Sequence, residues 1–306
     1  MKKATSRKNP YEKSLITFLP LCMRSGEKTT YLSMNQNTTA DSLGPLLIPS
    51  ERTLKVANIP FILVSTPRIS KTLRTFPEVE MCSTECTQKL FEAVMGFNYS
   101  TFKDVAGSGQ LPAENVTWYD AAIFCNKLSE AAGLEPYYTI SGIKYSNKAE
   151  GTGKKTGFPL SAYKASVSTK KDSKGFRLPT ENEWLYFATA SEDFRKTDAS
   201  DAVSMYSWIE KGSMNAYAWG VENSGGMTHP VAELNPNTWG MFDMLGNVTE
   251  WCEDGVRDED DEREKKVTRG GSFDTLSLNA KKIKMEHTKP SERKQSIGFR
   301  FCRNKD

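Results

Sequence analysis

Four short segments in the second half of the chain constrain the fold more than any other feature. The first is Arg177-Leu-Pro-Thr-Glu-Asn-Glu-Trp184, and the second runs from Trp239 to Trp251 and ends in Gly-Asn-Val-Thr-Glu-Trp. Arg269-Gly-Gly-Ser-Phe273 and Gly298-Phe-Arg300 complete the series. Each segment alone is a weak signal, because a Gly-Gly-Ser or a Gly-Phe-Arg occurs by chance. Four of them in this order and spacing form a specific signature.

The composition is that of an ordinary globular protein and does not name a partner. The 306 residues include 38% hydrophobic and 10% aromatic side chains, enough for a sizeable core. The 41 basic and 38 acidic residues give a formal charge of +3, which is too balanced to favour nucleic acid or an anionic membrane as the main partner. Six cysteines are too few for a disulfide scaffold in a chain of this length.

Residues 1–52 are predicted to be a leader or linker rather than a domain. They are rich in Ser, Thr, Asn and Lys and lack a sustained hydrophobic period. Basic residues followed by an apolar run from Leu15 to Cys22 have the outline of a degenerate secretory or lipoprotein signal, although Pro20 stands where a small residue is expected. That interpretation predicts a bacterial cell-envelope or secreted protein. The alternative is an apolar patch in a disordered leader, which would be compatible with the cytoplasm; in either case the run is too short to span a bilayer.

Helix and strand signals are scattered over residues 56–306, where we expect one folded domain. A short amphipathic helix is predicted over Thr87 to Met95 and ends before Gly96. Two further helices begin with capping-box patterns, which pair Thr117 with Asp120 and Thr180 with Glu183. Strands are predicted at 59–65, 137–140 and 165–168, the last two as a hairpin with a loose tip over 147–157. The charge run 258–266 is typical of a solvated loop between two strands.

The four segments resemble the formylglycine-generating enzyme, or sulfatase-modifying factor, family. The resemblance covers Ile59 to Arg303 and is strongest from Arg177 onward. It implies a single α+β domain of the C-type lectin type, with short antiparallel sheets, two main helices and a large share of irregular loops. Arg269, Arg300 and Glu183 match positions that the family uses internally. An arginine fork can satisfy several carbonyls or carboxylates, so we expect these residues to be scaffold.

In relatives the Gly-Asn-x-x-Glu-Trp loop holds a structural calcium ion, and the resemblance implies one such site here. By position, Asp243 and Glu250 would offer carboxylate oxygens, and Gly246 and Val248 their carbonyls. Calcium takes about six to eight hard oxygen ligands, and a glycine turn lets a backbone fold around the ion. The alternative is that the two carboxylates cap turns or pair with an arginine.

The best-known members of the family oxidise a substrate cysteine to formylglycine with O₂ through two thiols that bind copper. Here no cysteine lies between Cys252 and Cys302, and Thr275 stands where the first thiol would be, with Ala280 near the second. A hydroxyl and a methyl group cannot form the soft site that selects copper. We therefore expect no copper and no catalytic residues, with an oxidase as the alternative. In some relatives the position of Cys125 forms half of a disulfide, for which Cys302 lies one residue off and Cys252 competes.

The polar segment 274–295 joins the last two signatures and corresponds to the substrate-facing side of the oxidases. The leading interpretation is a non-catalytic, calcium-stabilised monomer that recognises a protein or other extracellular ligand and binds no nucleic acid. Ligand contacts are expected from Asp274, Thr275, Lys281, Lys284, Glu286 and His287, joined by Trp208 and Trp219. A second interpretation is a variable ligand-binding protein of a diversity-generating retroelement, because that group has the same frame around its ligand-binding segment.

Overall fold

The computed structural model describes residues 51–56, 58–67, 78–146, 161–191, 206, 209, 214–257, 264–277 and 285–305. The predicted leader with Cys22, the predicted hairpin tip and the predicted contacts Trp208, Lys281 and Lys284 lie outside these residues. The chain divides into two compact units, and every described residue belongs to the second, Asn35–Asp306. None of the helices in the described ranges is long and apolar enough to cross a membrane.

Three α-helices lie in the described part of the chain: α1 (Gln88–Met95), α2 (Trp118–Ala131) and α3 (Glu181–Thr189). Each begins after a threonine whose hydroxyl accepts a backbone amide three residues later: Thr87, Thr117 and Thr180. At α3 the carboxylate of Glu183 also accepts the Thr180 amide, which completes the predicted capping box. Helix α1 ends at Gly96 with φ of 84°, a conformation that favours glycine. The predicted caps at Thr117 and Thr180 and the predicted stop at Gly96 are confirmed, and the structure adds Thr87 as the cap of α1.

A five-stranded antiparallel sheet forms the centre of the domain. Its strands are β1 (Glu51–Val56), β2 (Ile59–Ser65), β3 (Val79–Cys82), β6 (Phe176–Arg177) and β11 (Cys302–Asn304). They are arranged in the order β1-β2-β3-β11-β6. Strand β2 has the predicted bounds. The first described strand, β1, begins ahead of Val56, where the folded domain was predicted to start. It pairs with β2 along its whole length.

A second sheet contains four strands: β7 (Thr249–Arg257), β8 (Glu264–Arg269), β9 (Glu286–Thr288) and β10 (Ile297–Gly298). Their order is β10-β7-β8-β9. The prediction of a loop over 258–266 is wrong for its last three residues, which are part of β8. Lys266 is buried there, with its ammonium 4.2 Å from the ring centroid of Trp118. The cation–π contact and the strand pairing stabilise these residues as part of a strand, although the segment is polar.

The third sheet is a two-stranded ribbon of β4 (Tyr138–Ser146) and β5 (Ser161–Thr169). Both strands extend beyond the predicted ranges 137–140 and 165–168. The outward side chains of the extensions are largely polar, so the apolar alternation that predicts a strand stops before the pairing does.

Both faces of the five-stranded sheet are buried, each against a different core. Leu63 and Cys82 point toward the core shared with α1 and α2, whereas their neighbours Val64 and Met81 point toward the core under α3. Because successive strand residues face opposite sides, a short strand can serve two cores at once. The second core also receives Met244 and Leu245 from the loop that carries the predicted calcium ligands.

Candidate functional site

Arg300 is the centre of the polar interior below the Gly-Asn-Val-Thr-Glu-Trp loop. Its side chain is fully buried, and its Nε and one terminal nitrogen donate to the two carboxylate oxygens of Glu250 at 2.7 Å each. The guanidinium also donates to carbonyls of two other segments: Cys82, Ser83, Phe242 and Asp243. The indole of Trp184 donates to Glu250 as well, at 2.7 Å. Arg300 therefore holds three segments together, as expected of a scaffold residue.

Three buried carboxyl groups surround this single arginine. Glu85 and Asp243 join Glu250 in the interior, so the local formal charge is negative if all three are ionised. The pKa of Glu85 is raised well above its usual range. Burial is the largest cause, and repulsion from Asp243 and Glu250 adds to it. Burial also raises the pKa of Asp243 to about 6, although its carboxylate accepts the Ala232 amide at 2.8 Å. The interior of the loop carries an excess of acid.

The loop reaches this conformation through three residues with positive φ: Asp243, Gly246 and Asn247. At Gly246 a Cβ atom would lie 2.1 Å from the Trp219 carbonyl oxygen, so only glycine fits. Asn247 then donates to Glu85 at 2.7 Å and to the His229 carbonyl at 3.1 Å. The predicted calcium ligands thus lie on a turn that the sequence dictates through its glycine.

The predicted ligands have the negative charge that a calcium ion needs, but only some of their oxygens are available to bind it. Both oxygens of Glu250 already accept hydrogen bonds from Arg300 or Trp184, which is the arginine pairing weighed as the alternative. Among the described residues, no group of three or more His, Cys, Asp or Glu side chains is arranged to hold a metal ion. The predicted set contains only two such side chains plus the carbonyls of Gly246 and Val248. The calcium site therefore stays a prediction.

The start of the predicted recognition segment is a tight hydroxyl turn. Ser272 is buried; its hydroxyl lies 2.6 Å from the Thr275 hydroxyl and donates to Asp274 at 2.7 Å. The Thr275 hydroxyl also accepts the Ser272 amide at 3.1 Å. Asp274 and Thr275 are exposed at the surface of this turn.

The turn 272–277 and the loop 219–226, together called the loop pair, are joined by three hydrogen bonds. The Val221 amide donates to the Leu276 carbonyl at 2.9 Å, and the Ser224 hydroxyl donates to the Phe273 carbonyl at 2.9 Å. A third bond joins Ser277 to Glu222 at 2.7 Å. These bonds bring the loop that begins at Trp219 against the turn that carries Asp274 and Thr275. Val221 exposes 55% of its surface here. No sequence signal predicts this exposed apolar side chain.

His229 stacks on the ring of Trp219 beside this surface. The two rings are nearly parallel, at 11°, with centroids 3.7 Å apart. His229 is held by a 2.7 Å contact from Nε2 to the Ser224 carbonyl and by its amide, which donates to Asn247 at 2.9 Å. The Trp219 indole nitrogen is buried without a hydrogen-bond partner among the described residues. No sequence signal predicts this stack, because its two residues lie in irregular chain.

Two predicted contacts lie apart from the loop pair. Glu286 and His287 belong to strand β9, opposite Thr268 and Val267 of β8, and both are exposed. Within the described ranges, no hydrogen bond or ion pair joins them to the loop pair. Another residue of the predicted segment, Arg293, is fixed by donations to the Asn115 carbonyl and the Ser161 hydroxyl. The structure therefore brings Asp274, Thr275 and Trp219 together at the loop pair. The other predicted residues described here, Glu286, His287 and Arg293, lie elsewhere.

Comparison with known proteins decides the family. The family model of the sulfatase-modifying factor enzyme 1-like domain matches residues 53–305. The chain belongs to this family. It is similar to "Chaperone protein LppX" of Paenibacillus barcinonensis, with 35% identity over 211 residues that cover 65% of this chain and 70% of that protein.

Solved structures of family-like proteins have the same fold. Treponema denticola variable protein 1 matches with a TM-score of 0.64 and 27% identity over 83% of this chain and 99% of its own. The protein CarF matches with a TM-score of 0.54 and 25% identity over 75% of this chain and 87% of its own. The expected α+β fold of the C-type lectin type is confirmed.

The ion pairs of this sulfatase-modifying factor domain agree with its predicted scaffold residues. Arg177 donates to both oxygens of Glu183, at 2.7 and 2.8 Å. Burial disfavours the charged carboxylate, but Arg177 offsets this effect and lowers the pKa of Glu183. Arg269 forms an ion pair with Glu181 at the start of α3. The Arg269–Glu181 pair joins two signature segments, whereas the Arg177–Glu183 pair stabilises one of them internally.

The five described cysteines of the domain are free buried thiols: Cys82, Cys86, Cys125, Cys252 and Cys302. Cys125 belongs to the core under α1 and α2, whereas Cys302 and Cys252 belong to the core under α3. Burial raises the pKa of every one of these thiols. Among the described residues Cys125 forms no disulfide, and its candidate partners Cys302 and Cys252 are part of the other hydrophobic core.

Proposed function

We propose that this protein is a non-catalytic binding protein that recognises a protein ligand through the loop pair. The observation that carries the proposal is the hydroxyl turn formed by Ser272 and Thr275. The family resemblance implies that Thr275 stands where the first oxidase thiol would be. The hydroxyls of the turn are hydrogen-bonded to each other, and neither can replace a thiolate as a copper ligand or redox group. The frame of the family is kept without the groups that its oxidation chemistry needs.

The exposed surface of the loop pair has the mixed character of a recognition site. Val221 offers apolar area, Trp219 a half-buried ring, and Asp274 and Glu222 exposed carboxylates. Aromatic and apolar anchors flanked by polar groups are typical of protein interfaces. The hydrogen bonds between the two segments fix the surface before a ligand arrives, which lowers the entropic cost of binding. The names of two relatives, a chaperone protein and a variable protein, agree with a binding role.

We also propose that one calcium ion stabilises the loop from Asp243 to Glu250. Support comes from the excess of buried acid there, since Glu85, Asp243 and Glu250 share a single arginine. A cation would neutralise that excess, with Asp243 and the carbonyls of Gly246 and Val248 as the groups that would hold it.

Site-directed photocrosslinking tests the binding proposal. A photoreactive amino acid replaces Asp274 or Val221 in the full chain, and Lys89, which is exposed on α1, serves as the control position. Exposed to extract of the source cells, the two loop-pair variants should form the same discrete protein adduct in mass spectrometry and the control should not. Equal adducts at all three positions, or none at the loop pair, would contradict the proposal.

The oxidase alternative has its own test. Copper-loaded protein is incubated with a cysteine-containing sulfatase peptide, and O₂ uptake and peptide mass are followed. We expect no formylglycine; turnover that depends on the protein would replace the binding proposal with the oxidase.

A further inference from the structure

Glu114 is a fully buried carboxyl group whose two oxygens are in different situations. Its Oε1 accepts the Phe102 amide at 3.2 Å, and Thr101 also hydrogen-bonds to the carboxyl group. Its Oε2 is buried and has no hydrogen-bond partner within the described ranges. A buried charge that lacks donors is far more costly than a neutral group of the same shape. The surroundings of Glu114 therefore suit the protonated carboxyl group better than the carboxylate.

Arg293 acts on Glu114 by its charge, but it also acts on the buried carboxyl group of Asp120. Its guanidinium is engaged by three further groups: the Asn115 carbonyl, the Ser161 hydroxyl and, 4.8 Å from the ring centroid, Tyr99. Burial is the largest effect on Glu114 and raises its pKa to about 8. The hydrogen bonds and the shared arginine offset only part of that effect.

The loop of residues 101–110, called the Phe102 loop, joins Glu114 to the loop pair. Its first two residues supply the hydrogen bonds to the Glu114 carboxyl group. The Phe102 ring packs edge-on against Phe273 of the turn 272–277, with ring centroids 5.7 Å apart at an angle of 81°. A displacement of Phe102 therefore removes support from the turn.

The rest of the Phe102 loop lies near the surface. No residue of this loop is buried; of its charged residues, Asp104 is exposed and Lys103 is half-buried. The Ser108 hydroxyl donates to the Lys103 carbonyl at 2.7 Å, and the Gln110 carbonyl accepts the Val231 amide at 2.9 Å. Chain with few buried contacts opens at a lower free-energy cost than the core beneath it. Opening of this loop gives water access to Glu114.

The difference in proton binding sets the direction of the effect. In the closed loop Glu114 keeps its proton up to about pH 8, whereas in an open, hydrated loop it loses the proton near the ordinary pKa of about 4.3. Between these values the open state binds fewer protons, so a rise in pH shifts the balance toward it, by at most about tenfold per pH unit. The proton passes to the solvent, and only the O–H bond is broken.

We propose that Glu114 is a positioning residue for the loop pair, which it supports through the Phe102 loop while its carboxyl group is protonated. Loss of the proton opens the loop, withdraws the Phe102 ring from Phe273 and weakens ligand binding at the turn 272–277. The effect on binding rests on the proposed function. The opening of the loop needs no ligand, so it can be tested separately.

Hydrogen exchange measured by mass spectrometry tests the opening on the full chain. After correction for intrinsic rates, exchange in residues 100–110 of the wild type should accelerate by up to about tenfold per unit between pH 6 and pH 8. Glu114→Gln, which is neutral at every pH, should flatten this rise. Glu130→Gln, at an exposed position of α2, should keep it.

Two results of this experiment would overturn the proposal. One is wild-type loop exchange that does not depend on pH, or that rises equally in Glu114→Gln. The other is exchange of the loop at the same corrected rate as α2, because the loop then opens only when the whole domain unfolds.

Phe102→Leu tests the link between the loop and the turn. The substitution removes the ring contact with Phe273 and leaves Glu114 in place. The loop should still open as the pH rises, while exchange in the turn 272–277, which follows the loop in the wild type, should lose its pH dependence. A turn that follows the loop equally in this variant would show that the ring contact does not support it, and the proposal would be wrong.

The crosslinking assay measures the consequence for binding. The adduct formed at Val221 should be several times weaker at pH 8 than at pH 6, and this difference should be absent in Glu114→Gln. An equal loss in that variant would contradict the positioning role. If no adduct forms at either pH, the proposed function fails, while the exchange measurements still decide whether Glu114 controls the loop.

Discussion

Arg300 and Glu250 form a fully buried, two-pronged ion pair, with two nitrogen–oxygen distances of 2.7 Å. Both residues belong to signature segments, and they lie 50 positions apart in the chain. The pair joins the last signature to the loop proposed to bind calcium, and Trp184 from a third signature donates to the same carboxylate. Three of the four signature segments therefore meet in one interior.

Breaking this pair should lower the free energy of unfolding more than the removal of an exposed charge does. Glu250→Gln removes the carboxylate that accepts two hydrogen bonds from Arg300, and breaking a buried ion pair typically costs about 3–5 kcal/mol. Urea denaturation measures the change in the free energy of unfolding. Glu135→Gln, which breaks an exposed pair with Lys170, is the control and should cost less than about 1 kcal/mol. Similar effects from the two variants would contradict a structural role for the buried pair.

Stability should fall as the pH rises from about 6 to 8 because of Glu114. Burial raises the pKa of this carboxyl to about 8, above the usual value of about 4.3. The folded protein therefore holds a proton that the unfolded chain releases, so unfolding is favoured as the pH rises toward 8, by at most about 1.4 kcal/mol per pH unit. Urea denaturation at several pH values measures the slope.

Glu114→Gln should reduce that slope, since glutamine carries no titratable proton. The buried oxygen Oε2 of Glu114 has no hydrogen-bond partner among the described residues, so the substitution breaks no bond of that atom. Glu130→Gln, at an exposed position of α2, is the control and should retain the slope. An unchanged slope in Glu114→Gln would show that another group carries the pH dependence.

Reducing agents should not change the melting temperature. The five described cysteines are free, and the raised pKa values keep them as thiols rather than reactive thiolates. In a Cys22→Ser background, a thiol reagent should modify the native protein slowly and modify all five in denaturant. A melting temperature that drops on reduction would reveal a disulfide.

Chelation of calcium should lower the melting temperature if the loop from Asp243 to Glu250 holds the ion. Glu250→Gln is unsuitable as the test, because it also breaks the pair with Arg300. Asp243→Asn is the better variant, since asparagine tolerates the φ of 52° at this position. We expect EDTA to lower the melting temperature of the wild type but not of Asp243→Asn, with Asp274→Asn as the responsive control. A wild type that ignores EDTA and added calcium would rule out the site.

Local signals predicted the helices because each of them depends on a few neighbouring residues. The Thr117 cap, Gly96 and the Thr180–Glu183 box are complete within one turn of chain, and the structure confirms them. Strand lengths were harder to predict. The ends of β4 and β5 have no hydrophobic alternation, and β8 begins inside a charge run, because their pairing partners lie elsewhere in the sequence.

Residue identity and spacing were enough to establish the family, the fold class and the absence of cysteine between Cys252 and Cys302. A single chain displays these features directly. The folded molecule was needed to show that Glu250 pairs with Arg300, that Trp219 stacks on His229, and that Glu286 and His287 lie apart from the loop pair. None of those facts can be read from neighbouring residues in the sequence. A carboxylate or a ring could pair with several partners, and which partner it takes is settled only when the whole core packs.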